Sequence, residues 1–143
     1  MSLLKVFDVA GSGLAAQSIR LNTTASNLAN ADSVAGEESK VYRARQPVFA
    51  SAMREFAARL DSDADGSAVG VRVLGIVESQ APVARRYEPG HPLANAEGYV
   101  FASNVNTVEA LADMISASRT FQSNVEVINT SRDLLLKTIT MGR

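Results

Sequence analysis

The chain has 143 residues, enough for one compact domain or one long helical layer carrying a small insert. Its hydrophobic content of 46% excludes a disordered polar chain, and a net charge of -1 provides no positive field for nucleic acid or for a polybasic membrane anchor. With no cysteine, a disulfide scaffold, a thiol nucleophile and a Cys-ligated zinc site are all ruled out.

The N-terminal segment, about residues 3 to 30, has the period of an amphipathic helix. Leu4, Phe7, Leu14, Leu21 and Leu28 form one stripe, and the last four are spaced by seven. Gly11, Ser18 and Ala25 follow Phe7, Leu14 and Leu21 by four residues, so large and small residues are expected to alternate along a seam. A helix of about 40 Å with Lys5, Asp8 and Arg20 as its only charges suits an environment of other protein better than bulk water. Val6, Val9, Ala10, Ala16 and Ile19 make a second apolar face, expected to stay open if two helices pair on their seams. Lys5 and Asp8 interrupt the apolar start, so neither a membrane-spanning helix nor a cleaved signal peptide is expected.

The middle, residues 31 to 105, carries most of the charge and all four prolines. Alternation predicts strands at Val41–Arg45 and around Val69–Val73. Pro89-Gly90 predicts a turn between strands at Val83–Glu88 and Gly98–Ala102. Met53, Phe56, Ala57 and Leu60 are spaced as a short amphipathic helix.

The C-terminal segment, about 106 to 141, is again helical in period. Leu111, Ile115, Ser118, Phe121, Val125, Ile128, Leu135 and Ile139 recur mostly at steps of three or four. Asn106 is placed as an N-cap with Glu109 three residues on, and Lys137 suits the helix C-terminus. The fold expected is mainly α with a small β-rich insert. An N-terminal arm (1–32) and a C-terminal arm (105–143) pack as a coiled-coil-like pair, flank an insert at 33–104, and assemble into a helical rod.

No candidate for catalysis or cofactor binding survives scrutiny. Asp61-Ser-Asp63-Ala-Asp65-Gly66 matches the first half of a calcium loop, but the twelfth position is Arg72, whose charge repels calcium. It reads as an acidic solvated turn, with weak, partner-dependent cation binding as the alternative. His91, the only histidine, lies between Gly90 and Pro92 and reads as a turn residue. Gly11-Ser-Gly13 lacks the Lys-Ser/Thr of a phosphate loop, and Arg43, Arg45, Arg85 and Arg86 read as the solvent side of strands rather than an anion patch. No metal, no cofactor and no enzymatic activity is expected.

The run Ala25-Ser26-Asn27-Leu28-Ala29-Asn30-Ala31-Asp32-Ser33 resembles the signature of the flagellar axial proteins, with Ser26, Asn27 and Asn30 as its motif residues and Asn30 suited to ending a helix. Phe7–Leu14, Glu78-Ser-Gln-Ala-Pro82, Tyr87-Glu-Pro-Gly-His-Pro-Leu-Ala94, Gly98-Tyr-Val100 and Ser116–Glu126 narrow the resemblance to the FlgC family of proximal rod proteins. Ser103 stands where that family commonly has Pro, and residues 50–68 look longer than in many relatives.

The resemblance implies a structural subunit of the periplasmic rod, exported by the flagellar type III apparatus without signal cleavage. Its implied partners are further copies of itself, other rod proteins, and membrane-ring or adaptor proteins at the rod base; nucleic acid is not among them. Phe7, Gly11, Leu14, Leu21, Leu28, Leu111, Ile115, Phe121, Val125, Ile128, Leu135 and Ile139 are the expected packing residues. The rival readings are a sister rod protein of the FlgB type, a soluble helical dimerisation module, and a metal enzyme built on the 61–66 turn.

Overall fold

The computed structural model describes residues 3–52 and 70–141, the first two of these through their backbone only. Helix α1 spans Leu3–Ala29 and helix α2 spans Thr107–Met141. Between them come strands β1 (Val34–Ala35), β2 (Arg45–Ser51), β3 (Val71–Glu78), β4 (Ala84–Tyr87) and β5 (Tyr99–Ala102), with a short 3-10 turn at Glu38–Lys40. Two long helices and a small β region make the fold mainly α. The expected helix at Met53, Phe56, Ala57 and Leu60 lies outside the described residues, as does the acidic turn at 61–66.

By its internal contacts the chain forms two units. The first takes residues 1–19, 48–75 and 117–143, and the second takes 20–47 and 76–116.

In the second unit β1, β5 and β4 form an antiparallel sheet with β5 in the centre, Val34 facing Ala102 and Tyr87 facing Tyr99. The Pro89-Gly90 turn falls between β4 and β5 as expected, and Gly98 (φ 79°) gives the chain the left-handed step that leads into β5. Val100 is fully buried, with Val41, Ala102 and Ala110 also buried in this unit. Tyr99 and Tyr87 meet in a T-shaped pair, ring centres 5.1 Å apart, and the Arg85 guanidinium lies over the Tyr99 ring at 4.6 Å.

The expected strand at Val41–Arg45 is a correction. Regular strand begins only at Arg45; at Ala44 the C=O still accepts from Ser79 N–H at 2.7 Å, but asparagine side chains take the N–H groups at this edge. Ala44 N–H donates to Asn104 Oδ1 at 2.7 Å, and Arg45 N–H donates to Asn27 Oδ1 at 2.9 Å. Strand β2 then pairs with β3 in a separate two-stranded ribbon, which places the expected strand at Val71–Val73.

In the first unit Ser12, on α1, donates to Val9 C=O and accepts from Val71 N–H at 3.0 Å. Gly70 permits this approach, since a Cβ there would lie 2.6 Å from Ser12 Oγ. Among the described residues of this unit the buried ones are all small: Ala10, Ala16, Ala117 and Ser131.

Candidate assembly surface

Helix α1 ends where Asn30 N–H reaches the carbonyls of Ser26 and Asn27, and the Asn30 side chain donates to Ser26 C=O at 2.8 Å. Asn30 C=O then accepts from both the backbone and the hydroxyl of Ser33, turning the chain into β1. Asn27 is buried and does something different. Its Nδ2 donates to Arg45 C=O at 2.7 Å while its Oδ1 accepts from Arg45 N–H and from Tyr42 Oη at 3.0 Å. With its single proton committed to Asn27, Tyr42 accepts from Ser26 Oγ at 3.1 Å. Ser26, Asn27 and Asn30 of the axial run are thus tied into one network. Tyr42 and Asn104, its further members, escaped the sequence reading, because both are ordinary polar residues until the fold brings them to Asn27 and Ala44.

Asn106 caps α2, its Oδ1 accepting from Val108 and Glu109 N–H at 3.1 and 3.3 Å. Lys137 falls short of the last turn, which carries no basic residue.

The two helices touch through polar and small residues. In the second unit Arg20 pairs with Asp113 at 2.7 Å. In the first, a Cβ at Gly13 would sit 3.0 Å from Asn124 Nδ2. Along α2, Ala110, Ala117 and Ser131 are buried and Asn124 half-buried, at multiples of seven; Met114, Phe121, Ile128 and Leu135 follow them by four residues and are half-buried.

Of the residues expected in the seam, Phe7, Gly11, Leu14, Leu21, Leu28, Phe121, Ile128 and Leu135 are half-buried. Ser18 and Ala25, expected between the leucines, are exposed. The α1 face expected to stay open holds Ala10 (5% exposed) and Ala16 (3%), the reverse of the expectation. Among the described residues of α1 and α2 the buried apolar positions are all alanines, Ala10, Ala16, Ala110 and Ala117. A Cβ at Gly11 meets nothing within 4 Å, so Gly13 rather than Gly11 is the close-approach glycine within the chain.

The remaining expected packing residues face solvent. In the second unit Leu111 is 47% and Ile115 55% exposed, beside Val108 at 74%. In the first unit Val125 and Ile139 are exposed, with Leu134, Leu136 and Met141.

The other candidates resolve into local structure. His91 Nδ1 accepts from Leu93 N–H within a turn. Arg43 donates to Ser79 and Ala81 carbonyls and pairs with Glu38, and Arg45 pairs with Glu78 at 3.0 Å and stacks on Tyr42. Glu37 is held below the usual carboxylate value, first by a hydrogen bond from Lys40 and then by that residue's charge. Among the described residues no helix is long and apolar enough to cross a membrane.

Residues 7–36 match the family described as "Flagella basal body rod protein", and residues 96–141 match "Flagellar basal body rod FlgEFG protein C-terminal". The chain is 50% identical over 143 residues to the flagellar basal-body rod protein FlgC of Salmonella typhimurium strain LT2, covering 100% of both chains. It is 49% identical to FlgC of Escherichia coli O6:H1 over 100% of both, and 39% identical to FlgC of Buchnera aphidicola subsp. Acyrthosiphon pisum over 99% of both. These end-to-end matches leave no net length excess for residues 50–68 relative to those proteins. At this identity over the whole of its length, the chain belongs to the FlgC family of flagellar basal-body rod proteins.

Proposed function

We propose that this chain, by its family a structural subunit of the flagellar basal-body rod and not an enzyme, is exported unprocessed and built into the periplasmic proximal rod as part of a helical array. The two helical arms, 1–32 and 105–143, pack there against arms of further copies and of other rod proteins, with membrane-ring or adaptor proteins at the rod base. Contacts that repeat by a screw operation rather than closing on themselves produce such a filament. Torque then passes through many interlocked side chains rather than through one bond.

The observation that carries this reading is the row of large apolar residues left in solvent on α2, Leu111 at 47% and Ile115 at 55% exposure among them. About half exposed already, each would gain roughly 1 kcal/mol from completing its burial, a gain the isolated chain forgoes. The charge-poor surface of α1 fits the same environment.

The test is complementation of a motile strain that has lost its own copy of this subunit. Leu111→Asp with Ile115→Asp is expected to leave the chain folded, since about half of each side chain already faces water, and to abolish swimming. A swimming double variant sinks the reading. Sedimentation and far-ultraviolet circular dichroism of the purified chain across a concentration series add a second arm. Helicity that rises with higher-order species supports arms that order on assembly, and a stable, closed, fully helical dimer favours a dimerisation module.

A further inference from the structure

Strand β4 is an edge of the three-stranded sheet in the second unit, and none of the described strands pairs with its outer side. The opposite edge, β1, is two residues long, whereas β4 runs Ala84–Tyr87 with every residue exposed. Glu88 N–H donates to Gly98 C=O, one register step beyond the Tyr87–Tyr99 pair. Bonded positions alternate in an antiparallel ladder, so Ala84 and Arg86 also turn their backbone groups to β5, and those of Arg85 and Tyr87 point outward. An open row of this kind is a template for one more strand.

The side chains along this edge are cationic. Among the described residues Arg20, Arg43 and Arg45 each have a carboxylate partner, and Arg85 and Arg86 have none. Arg85 lies over the Tyr99 ring, which in turn meets Tyr87, and Gly98 leaves room for Tyr87, since a Cβ there would sit 3.0 Å from that ring. The guanidinium is thus positioned while its donors remain unclaimed by any described acid. Positive charge on an edge strand turns away apolar and basic strands but attracts an acidic one. The described strands of this chain carry Glu78 as their acid, and it is already paired with Arg45, so none of them supplies the complement.

We propose that β4 is a docking edge for an extended acidic segment of another protein, which adds to the sheet as a fourth strand. The backbone of that segment takes up the N–H and C=O groups of Arg85 and Tyr87. Its carboxylates meet Arg85 on the face shared with Tyr99 and Phe101, and Arg86 on the face shared with Val100. Pro82 and Pro89 bracket the edge, so the segment is short. This surface uses none of the exposed α2 residues, and it stands or falls independently of the helical-array reading.

Fluorescence anisotropy with the full-length chain and a short labelled peptide alternating valine and glutamate tests this. The glutamate peptide is expected to bind, and the same peptide with lysine in place of glutamate is not. Arg85→Glu with Arg86→Glu is expected to weaken binding about tenfold or more. Failure of the glutamate peptide to bind, equal binding of the two peptides, or wild-type affinity in the double variant overturns the proposal. Arg85→Ala and Arg85→Pro remove the same charge, but only proline removes the outward N–H, and it leaves the ladder to β5 intact. Proline is expected to weaken binding about fivefold beyond alanine; equal losses mean a charge contact without strand addition and overturn it. Hydrogen exchange on the wild type needs no variant. Saturating glutamate peptide is expected to slow the amides of Arg85 and Tyr87 about tenfold, with Arg86 and Glu88 already slow in the free chain. Unchanged exchange at Arg85 and Tyr87 is equally fatal. Self-association of the wild type that the double variant abolishes would make the occupant a second copy and overturn the assignment to another protein.

Discussion

The carboxamide of Asn27 pairs with Arg45 as a neighbouring strand would, donating at 2.7 Å and accepting at 2.9 Å. An aspartate has the same shape and loses the donor, so Asn27→Asp sets a carboxylate oxygen against Arg45 C=O. A loss of about 1–3 kcal/mol is expected, read as a lower midpoint in urea unfolding. A midpoint equal to the wild type's would mean that this bond contributes nothing.

The glycines of α1 separate two uses of a missing side chain. Gly11→Ala meets nothing within 4 Å and is expected to stabilise the isolated chain by about 0.5–1 kcal/mol, the ordinary gain of alanine over glycine in a helix. Gly13→Ala places its Cβ 3.0 Å from Asn124 Nδ2, so that side chain must shift and the gain is reduced or reversed. Thermal unfolding of the two variants side by side checks the order. If Gly11→Ala also lowers motility, its smallness serves a neighbouring subunit.

Arg20 and Asp113 form a partly screened pair, their side chains 28% and 43% exposed. Asp113→Asn is expected to cost about 1 kcal/mol or less at low salt, with the difference from wild type shrinking as ionic strength rises. A cost that does not change with salt would show the bond to be geometric rather than ionic.

Glu37 offers a pH handle. Its carboxyl is lowered from 4.5 by the Lys40 hydrogen bond and charge, so what the pair adds to stability is present above about 4.5 and is lost as pH falls through the depressed value. NMR titration is expected to find Glu37 below the ordinary carboxylate value and to see it rise in Lys40→Ala. An unmoved titration would remove Lys40 as the cause.

Several elements were legible before any coordinates. Both helices, the Asn106 cap, the Pro89-Gly90 turn and the β3 alternation depend on neighbours within a few residues, and local chemistry suffices for them. The axial run at 25–33 was legible as a pattern, and Asn30 as a helix stop, for the same reason. The family itself was readable from stretches of residues spread along the chain.

What only the tertiary structure decided is which side of each helix is inside and where the polar side chains go. Hydropathy favoured Leu111 and Ile115 for burial, whereas both stay about half exposed in the chain by itself and their small neighbours Ala110 and Ala117 are the buried residues. The Val41–Arg45 alternation looked like strand, but beside the Ser79 N–H bond to Ala44 C=O its backbone groups are taken by the side chains of Asn27 and Asn104, one before it in the chain and one far beyond it. Period is a property of a segment and can be read from it. A buried face and a long-range hydrogen bond belong to pairs of segments, and exist only once the chain has folded.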